Sequence, residues 1–405
     1  MNIHEHIGLV ERFVAHNYHP LPVVLSRGEG VWVEDVEGKK YLDMLASYSA
    51  LNQGHRHPKI LKALNEQLNR LCLTSRAFHN DQLGPFCKFL CEVTGQEQVL
   101  LMNSGAEGVE TAIKCARRWG YTKKGVPPNQ AEIVVCANNF HGRTITIISF
   151  SNEPLYQDGF GPFTPGFRVI PYDDIDALQK VINQNTVGFL VEPIQGEGGI
   201  IVPNNGYLKA ARELCRENRV LFILDEIQTG LGRTGRLFCY QYEDAKPDLL
   251  ILGKALGGGC VPVSAVCGPQ EVMDAFVPGN HGSTFGGNPL ACAVGKAAVE
   301  VILEEKLPER SAELGSYFLS ELKKMNSPLV ADVRGRGLFI GVELKEEAGP
   351  ARIYCEKLLG LGILAKDTHE KVIRFAPPLI IKREEMDWAL ERIRQVLNPG
   401  NGAAR

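Results

Sequence analysis

Apolar residues gather in short unbroken runs through the middle of the chain: Val99–Met102, Ile133–Cys136, Arg168–Ile170, Val187–Val191, Val220–Leu224, Leu249–Leu252 and Val263–Cys267. Runs this short, without polar alternation, are the pattern of strands buried on both faces. Segments with apolar residues at helical spacing separate them, over 106–120, 174–185 and 206–219. Strand and helix in this rhythm predict a mostly parallel sheet covered by helices. A long helix is expected from Pro289 to Glu305, leading into a smaller unit at about 310–397. That unit reads as a helix, strands Leu329–Val333 and Leu338–Leu344, a helix at 350–360, strand Val372–Phe375 and a last helix at 383–397, an α+β pattern. The first 30 residues carry a helical pattern (Ile7, Val10, Phe13, Val14) and then the proline-punctuated arm HNYHPLP. Gly30 to Asp43 alternates apolar and polar residues around Glu37-Gly38, a hairpin signature. Pro58–Leu71 reads as an amphipathic helix, and the tail NPGNGAAR as a frayed end.

Two of the apolar runs end abruptly in charge. Val220–Leu224 meets Asp225-Glu226, and Leu249–Leu252 reaches Lys254 through Gly253. Open α/β sheets bind ligands outside the carboxyl ends of their strands. This pattern therefore predicts a carboxylate and an amine in one crevice. An amine able to form a Schiff base, beside an acid that keeps a pyridine nitrogen protonated, is what pyridoxal phosphate chemistry requires. Desolvation at the end of a buried strand would also favour the free amine of Lys254.

Other strand ends add candidates. Asn103-Ser104-Gly105-Ala106-Glu107 stands between a strand and a helix. Bare backbone N–H groups there would cradle a phosphate, or Ser104 would simply cap the helix. Phe140-His141-Gly142-Arg143 follows the run Ile133–Cys136. Phe140 is placed to stack on a planar ring or to pack in the core, and Arg143 to take a carboxylate or stay solvated. Glu197 lies on the glycine-rich stretch after Val187–Val191, where a solvated loop glutamate is the plain alternative. His281 to Pro289 carries Thr284 among glycines, and Arg374 ends an apolar strand before Pro377-Pro378.

Composition narrows the field. The chain has 405 residues, beyond the size of one ordinary core, so more than one domain is expected. A net charge of −3 with no basic block gives nothing to recruit nucleic acid or an anionic membrane. Eleven cysteines, mostly inside apolar runs and without a C-x-x-C, read as buried free thiols in a reducing compartment. The N-terminus shows no signal core and no stretch long enough to span a bilayer, so a cytoplasmic protein is expected. His55-x-His57 invites a zinc reading, but no partner cluster follows and no metal is expected. Gly335 to Gly341 approaches a dinucleotide fingerprint but runs into a strand instead of opening a helix, which removes that reading.

LFILDEIQTGLGRTG followed by LGKALGGG resembles the class III pyridoxal phosphate aminotransferases, and the resemblance covers nearly the whole chain. HNYHPLP, LTSRAF, NFHGRT, DGFGPFTPGF, VEPIQGEGGI, HGSTFGGNPL and IRFAPPL look like the members of that family that act on ornithine. The resemblance implies a fold-type-I transferase: a large domain with a mostly parallel seven-stranded sheet and a smaller α+β domain. The divisions expected are an N-terminal arm and hairpin at 1–45 packing with the small domain, a cofactor-binding domain at 46–290, and a C-terminal domain at 291–405. It implies pyridoxal 5'-phosphate as cofactor, with Lys254 and Asp225 catalytic. Ser104, Gly105, Ala106, Phe140, His141, Gln228 and Thr284 would complete the cofactor site. Thr284 would reach the phosphate of a neighbouring subunit, so a homodimer with shared active sites is implied. Tyr18, Tyr48, Arg143, Glu197 and Arg374 would handle an amino acid and 2-oxoglutarate. Glu197 would mask Arg374 in one half-reaction and release it in the other. Animal members that act on ornithine carry Trp where this chain has His141, which leaves the shape of the aromatic clamp open. Members acting on acetylornithine or 4-aminobutyrate are the alternative.

Overall fold

A computed structural model describes residues 1–398. The expected frayed tail lies, after Asn398, outside the described residues. The large sheet has seven strands in the spatial order Gln98–Met102, Ser264–Gly268, Leu249–Leu252, Leu221–Asp225, Thr186–Val191, Glu132–Cys136 and Phe167–Ile170. Pairings are parallel from Leu249–Leu252 onwards, and only Ser264–Gly268 runs against its two neighbours. The four strands from Ser264–Gly268 to Thr186–Val191 are buried at every position, which is why they read as unbroken apolar runs. Parallel register brings the carboxyl ends of Glu132–Cys136, Thr186–Val191, Leu221–Asp225 and Leu249–Leu252 to one edge. Asp225 lies opposite Ile251, three residues before Lys254.

The longer helices follow the apolar spacing closely, though not everywhere. The helix expected to reach 185 stops at Val181, because Asn183 accepts from the Asn185 N–H at 2.8 Å and builds a local turn instead. Leu83–Thr94 is a helix the sequence pattern did not bring out; it buries Phe86 and Leu90 and ends at Gly95 in the left-handed region (φ 65).

Leu25–Glu29, Trp32–Asp35 and Lys40–Asp43 form an antiparallel meander whose last strand pairs in parallel with Ile363–Leu364. A second four-stranded sheet, all antiparallel, joins Val330–Arg336, Phe339–Leu344, Val372–Phe375 and Lys366–Thr368, the last not foreseen. One buried side chain ties these parts together. Arg233 donates to the carbonyls of Leu338 (2.9 Å) and Pro377 (2.6 Å) and to Asn52 Oδ1 (2.5 Å), and burial pushes its pKa down to about 9.

All eleven cysteines are free. Among the described residues no helix is long and apolar enough to cross a membrane, and no group of metal-ligating side chains assembles. His55 and His57 instead meet Asp43 and Glu305, each at 2.8 Å.

Candidate active site

A cavity of about 200 Å³ opens at the carboxyl edge of the large sheet, lined among others by Lys254, Asp225, His141 and Phe140. Its floor is dry. Asp225 Oδ2 lies 2.7 Å from Nδ1 of the fully buried His141, and Oδ1 accepts the Ile227 N–H at 3.0 Å. Burial opposes a charge on His141, but the bond to Asp225 outweighs it and raises the imidazole pKa. Burial lowers the pKa of Lys254, against the attraction of Glu197 and Asp225, and so favours the free amine. Lys254 also sits at φ 46, a left-handed backbone that costs a lysine roughly 1–2 kcal/mol and aims it off the strand end.

The neighbouring acid of the sequence motif has a different task. Glu226 turns away and accepts the N–H groups of Cys239 (2.7 Å) and Tyr240 (2.9 Å), fixing the loop behind the site. A carboxylate the sequence reading passed over, Glu192, faces the cavity instead. Its Oε2 accepts the Phe140 N–H at 3.0 Å, and burial pushes its pKa up to about 7. The only sequence sign of it was an acid directly after the buried Val187–Val191 run.

Ser104 is the N-cap of the helix Gly105–Trp119: its hydroxyl accepts from the Glu107 N–H (3.2 Å), and Glu107 Oε2 accepts from the Ser104 N–H (2.6 Å). The cap alternative therefore describes the Ser104 hydroxyl. Gly105 and Ala106 follow in the first turn, where backbone N–H groups lack helical acceptors. This turn is packed too tightly for larger residues nearby. A Cβ on Gly142, at φ 127, would lie 2.9 Å from that of Ala106, and one on Gly105 would lie 3.0 Å from Ile227. Thr284 stands apart, exposed on a loop that Asn103 holds through Ser283 at 2.8 Å; it does not line this chain's own cavity.

Above the floor, Arg374 and Glu197 form a two-pronged ion pair: Nη1 to Oε1 at 2.5 Å and Nη2 to Oε2 at 3.2 Å. Burial opposes the Glu197 charge, but the Arg374 guanidinium beside it outweighs that and lowers the Glu197 pKa. Gln228 Nε2 donates to Glu197 Oε1 (3.4 Å) and to the Tyr48 carbonyl (3.3 Å). The Tyr48 ring lies 4.7 Å from the Arg374 guanidinium carbon. Tyr48 is presented by a turn in which Ala46, Ser47, Tyr48 and Ser49 are all left-handed, with φ of 49, 48, 61 and 72. Asp43 Oδ1 holds the start of that turn through the N–H groups of Leu45 (2.9 Å) and Ala46 (2.8 Å).

At the mouth, Arg143 donates to the phenol oxygens of Tyr18 (3.2 Å) and Tyr156 (3.4 Å) and has no carboxylate partner among the described residues. Phe140 lies beneath it, 5.4 Å from the guanidinium carbon to the ring centre. Tyr156 was not foreseen: in sequence it is one aromatic in a polar loop.

An amine whose burial favours its neutral form, an acid bonded to a buried imidazole, a helix N-terminus and two separate arginines suit transfer of an amino group between carboxylate-bearing substrates. Comparison with known proteins agrees. The chain matches the class-III aminotransferase family over residues 13–397 and belongs to it. It is 60% identical over 392 residues to an ornithine aminotransferase of Brevibacillus brevis, covering 97% of this chain and 98% of that one. It is 57% identical over 393 residues to an ornithine aminotransferase of Bacillus subtilis, covering 97% of each. A solved ornithine aminotransferase of Toxoplasma gondii superposes with a TM-score of 0.97 at 48% identity, covering 98% of this chain and 95% of that one. An acetylornithine aminotransferase of Elizabethkingia anophelis superposes with a TM-score of 0.90 at 50% identity, covering 98% and 99%. The fold is thus the one the resemblance implied. Pyridoxal phosphate is the cofactor of this class, and the glycine-lined first turn and the Asp225–His141 pair fit its phosphate and ring nitrogen.

Proposed function

We propose that this chain transfers the δ-amino group of L-ornithine to 2-oxoglutarate, giving L-glutamate 5-semialdehyde and L-glutamate. The observation that carries the reading is the Glu197–Arg374 pair. Ornithine must present its distal amine, whereas glutamate must present its α-amine and, with it, an adjacent carboxylate. An unpaired buried Arg374 beside ornithine's aliphatic chain would be costly. Glu197 neutralises it in that half-reaction and turns away when glutamate's α-carboxylate takes its place. Arg143 and Tyr18, on the other side, hold ornithine's remote α-carboxylate, and Tyr48 lines the pocket between. The ornithine aminotransferases of Brevibacillus brevis and Bacillus subtilis support the same reading.

When bound, pyridoxal phosphate serves as electron sink and carrier of the amino group. Lys254 takes a proton at Nζ from the substrate carbon bearing the amine and later returns one, which requires the neutral form its burial favours. Asp225, oriented by His141, would hold the proton on the ring nitrogen. Phe140 would stack on the ring, Gln228 would approach its phenolic oxygen, and Gly105 and Ala106 would donate to the phosphate, with Ser104 fixing their turn. Thr284 would complete the phosphate site of a second subunit, and the working enzyme is read as a homodimer with shared sites, in the cytoplasm. We assign 1–45 to an arm and hairpin, 46–290 to the cofactor domain and 291–405 to the small domain. The reaction places the enzyme between arginine catabolism and proline synthesis.

The Elizabethkingia anophelis structure favours one second reading, N-acetylornithine as donor. Steady-state rates with ornithine, N-acetylornithine, 4-aminobutyrate and lysine, each with 2-oxoglutarate, separate them. Ornithine is expected to give the highest kcat/KM, and a higher value for any of the other three would displace the proposal.

A further inference from the structure

Among the described residues, Arg143 is a cation without a carboxylate partner. Its two terminal nitrogens donate to phenol oxygens, Nη1 to Tyr18 and Nη2 to Tyr156. A phenol oxygen that accepts in this way keeps its own hydrogen for another acceptor, and neither phenol hydrogen has one among the described residues. Arg143, Tyr18 and Tyr156 thus combine a positive charge with two unused O–H donors, the complement of a carboxylate.

The two phenols are held differently. Tyr18 is 66% exposed, on the arm that Arg352 ties down through the carbonyls of His19 (2.9 Å) and Pro20 (2.7 Å). Tyr156 is half-buried in the short helix Pro154–Gln157. Its N–H bonds to the Glu153 carbonyl at 3.0 Å, and the next side chain, Gln157, donates to the carbonyls of Ile148 (3.0 Å) and Ser151 (2.7 Å). The Tyr156 ring lies 4.9 Å from the Arg143 guanidinium carbon and meets Phe140 edge-on, with centres 6.1 Å apart. A donor fixed in advance loses little freedom on binding.

We propose that Tyr156 is a specificity-determining residue of the substrate site, its phenol donating to the ornithine α-carboxylate that Arg143 binds. The inference rests on the ornithine reading above. It makes the carboxylate end a three-donor site and assigns the third donor to the segment after Phe140, not to the N-terminal arm.

Tyr156→Phe keeps the ring and its packing and removes only the hydroxyl. Expected is a fall of about ten-fold or more in kcat/KM for ornithine, the usual cost of a lost hydrogen bond to a charge. The absorbance of the bound cofactor should not change. 1,4-Diaminobutane, which is ornithine without its carboxylate, should bind the variant and the wild type equally, measured as substrate or as competitive ligand. Unchanged ornithine kinetics would overturn the proposal, as would equal losses for ornithine and the diamine, the mark of a disturbed Phe140 platform. A wild-type enzyme inert to ornithine sinks the ornithine reading and this inference with it, and the wild-type control shows that separately.

Discussion

The floor of the site and its mouth are built on opposite plans. On the floor, Asp225, His141 and Lys254 belong to strand ends or the turns just beyond them, and the Asp225–His141 pair is sealed from water. At the mouth, Tyr18, Arg143 and Tyr156 come from an arm, a loop and a four-residue helix, and Tyr18 is largely exposed. The difference teaches where chemistry and selectivity reside. On the floor, burial and close partners set protonation: burial favours the neutral amine of Lys254, and the bond to Asp225 favours the charged imidazole of His141. At the mouth, water screens charge, so selectivity depends on how many donors a carboxylate meets and how firmly they are held. Between the two, the Glu197–Arg374 pair mixes both plans: a buried cation under a half-open carboxylate.

Four substitutions test that contrast. Lys254→Ala should cost both half-reactions about 10⁴-fold or more, because the proton carrier is lost; single-turnover rates with ornithine and with glutamate would show it, and a variant that retains either rate breaks the floor assignment. Glu197→Ala should split the half-reactions, leaving Arg374 uncompensated beside ornithine and costing that half about 10²-fold while glutamate retains its rate. Equal losses would mean that Glu197 is no switch. Tyr18→Phe should weaken ornithine about ten-fold through one hydrogen bond to a carboxylate and show the change mainly in KM.

The smallest effect concerns stability on the floor. His141 has a raised pKa in the fold, so its bond to Asp225 contributes fully below the unfolded histidine value of about 6.5 and fades as pH rises through the raised one. His141→Asn should therefore lower the melting temperature most at mildly acidic pH, with the gap to wild type narrowing in alkali. A gap that widens with pH would mean the imidazole is held neutral.

Strand ends were legible along the chain because a fully buried parallel strand must be apolar until it meets the crevice, so Asp225 and Lys254 stood out at the points where the pattern breaks. The same logic exposed Arg374 and hinted at Phe140. It failed for side chains whose partners are remote. Glu226 reads as well as Asp225 in sequence, and only the backbone direction after the strand turns one toward the cavity and the other onto Cys239 and Tyr240. Glu192 looks like any acid after a strand until burial raises its pKa to about 7. For His141 the sequence left the shape of the aromatic clamp open, and only the fold shows its ring nitrogen 2.7 Å from Asp225 Oδ2.

Apolar spacing by itself determined the layered sheet and the place of the crevice, since both follow from local periodicity and the rule that strands stop where burial stops. Which groups meet in that crevice was decided by tertiary structure alone. Tyr18 and Arg143 are 125 residues apart, and Glu197 and Arg374 are 177 apart. No local pattern encodes such pairings. They exist because the sheet register, the left-handed turn at Ala46–Ser49 and the Arg233 tie hold distant segments at hydrogen-bond range.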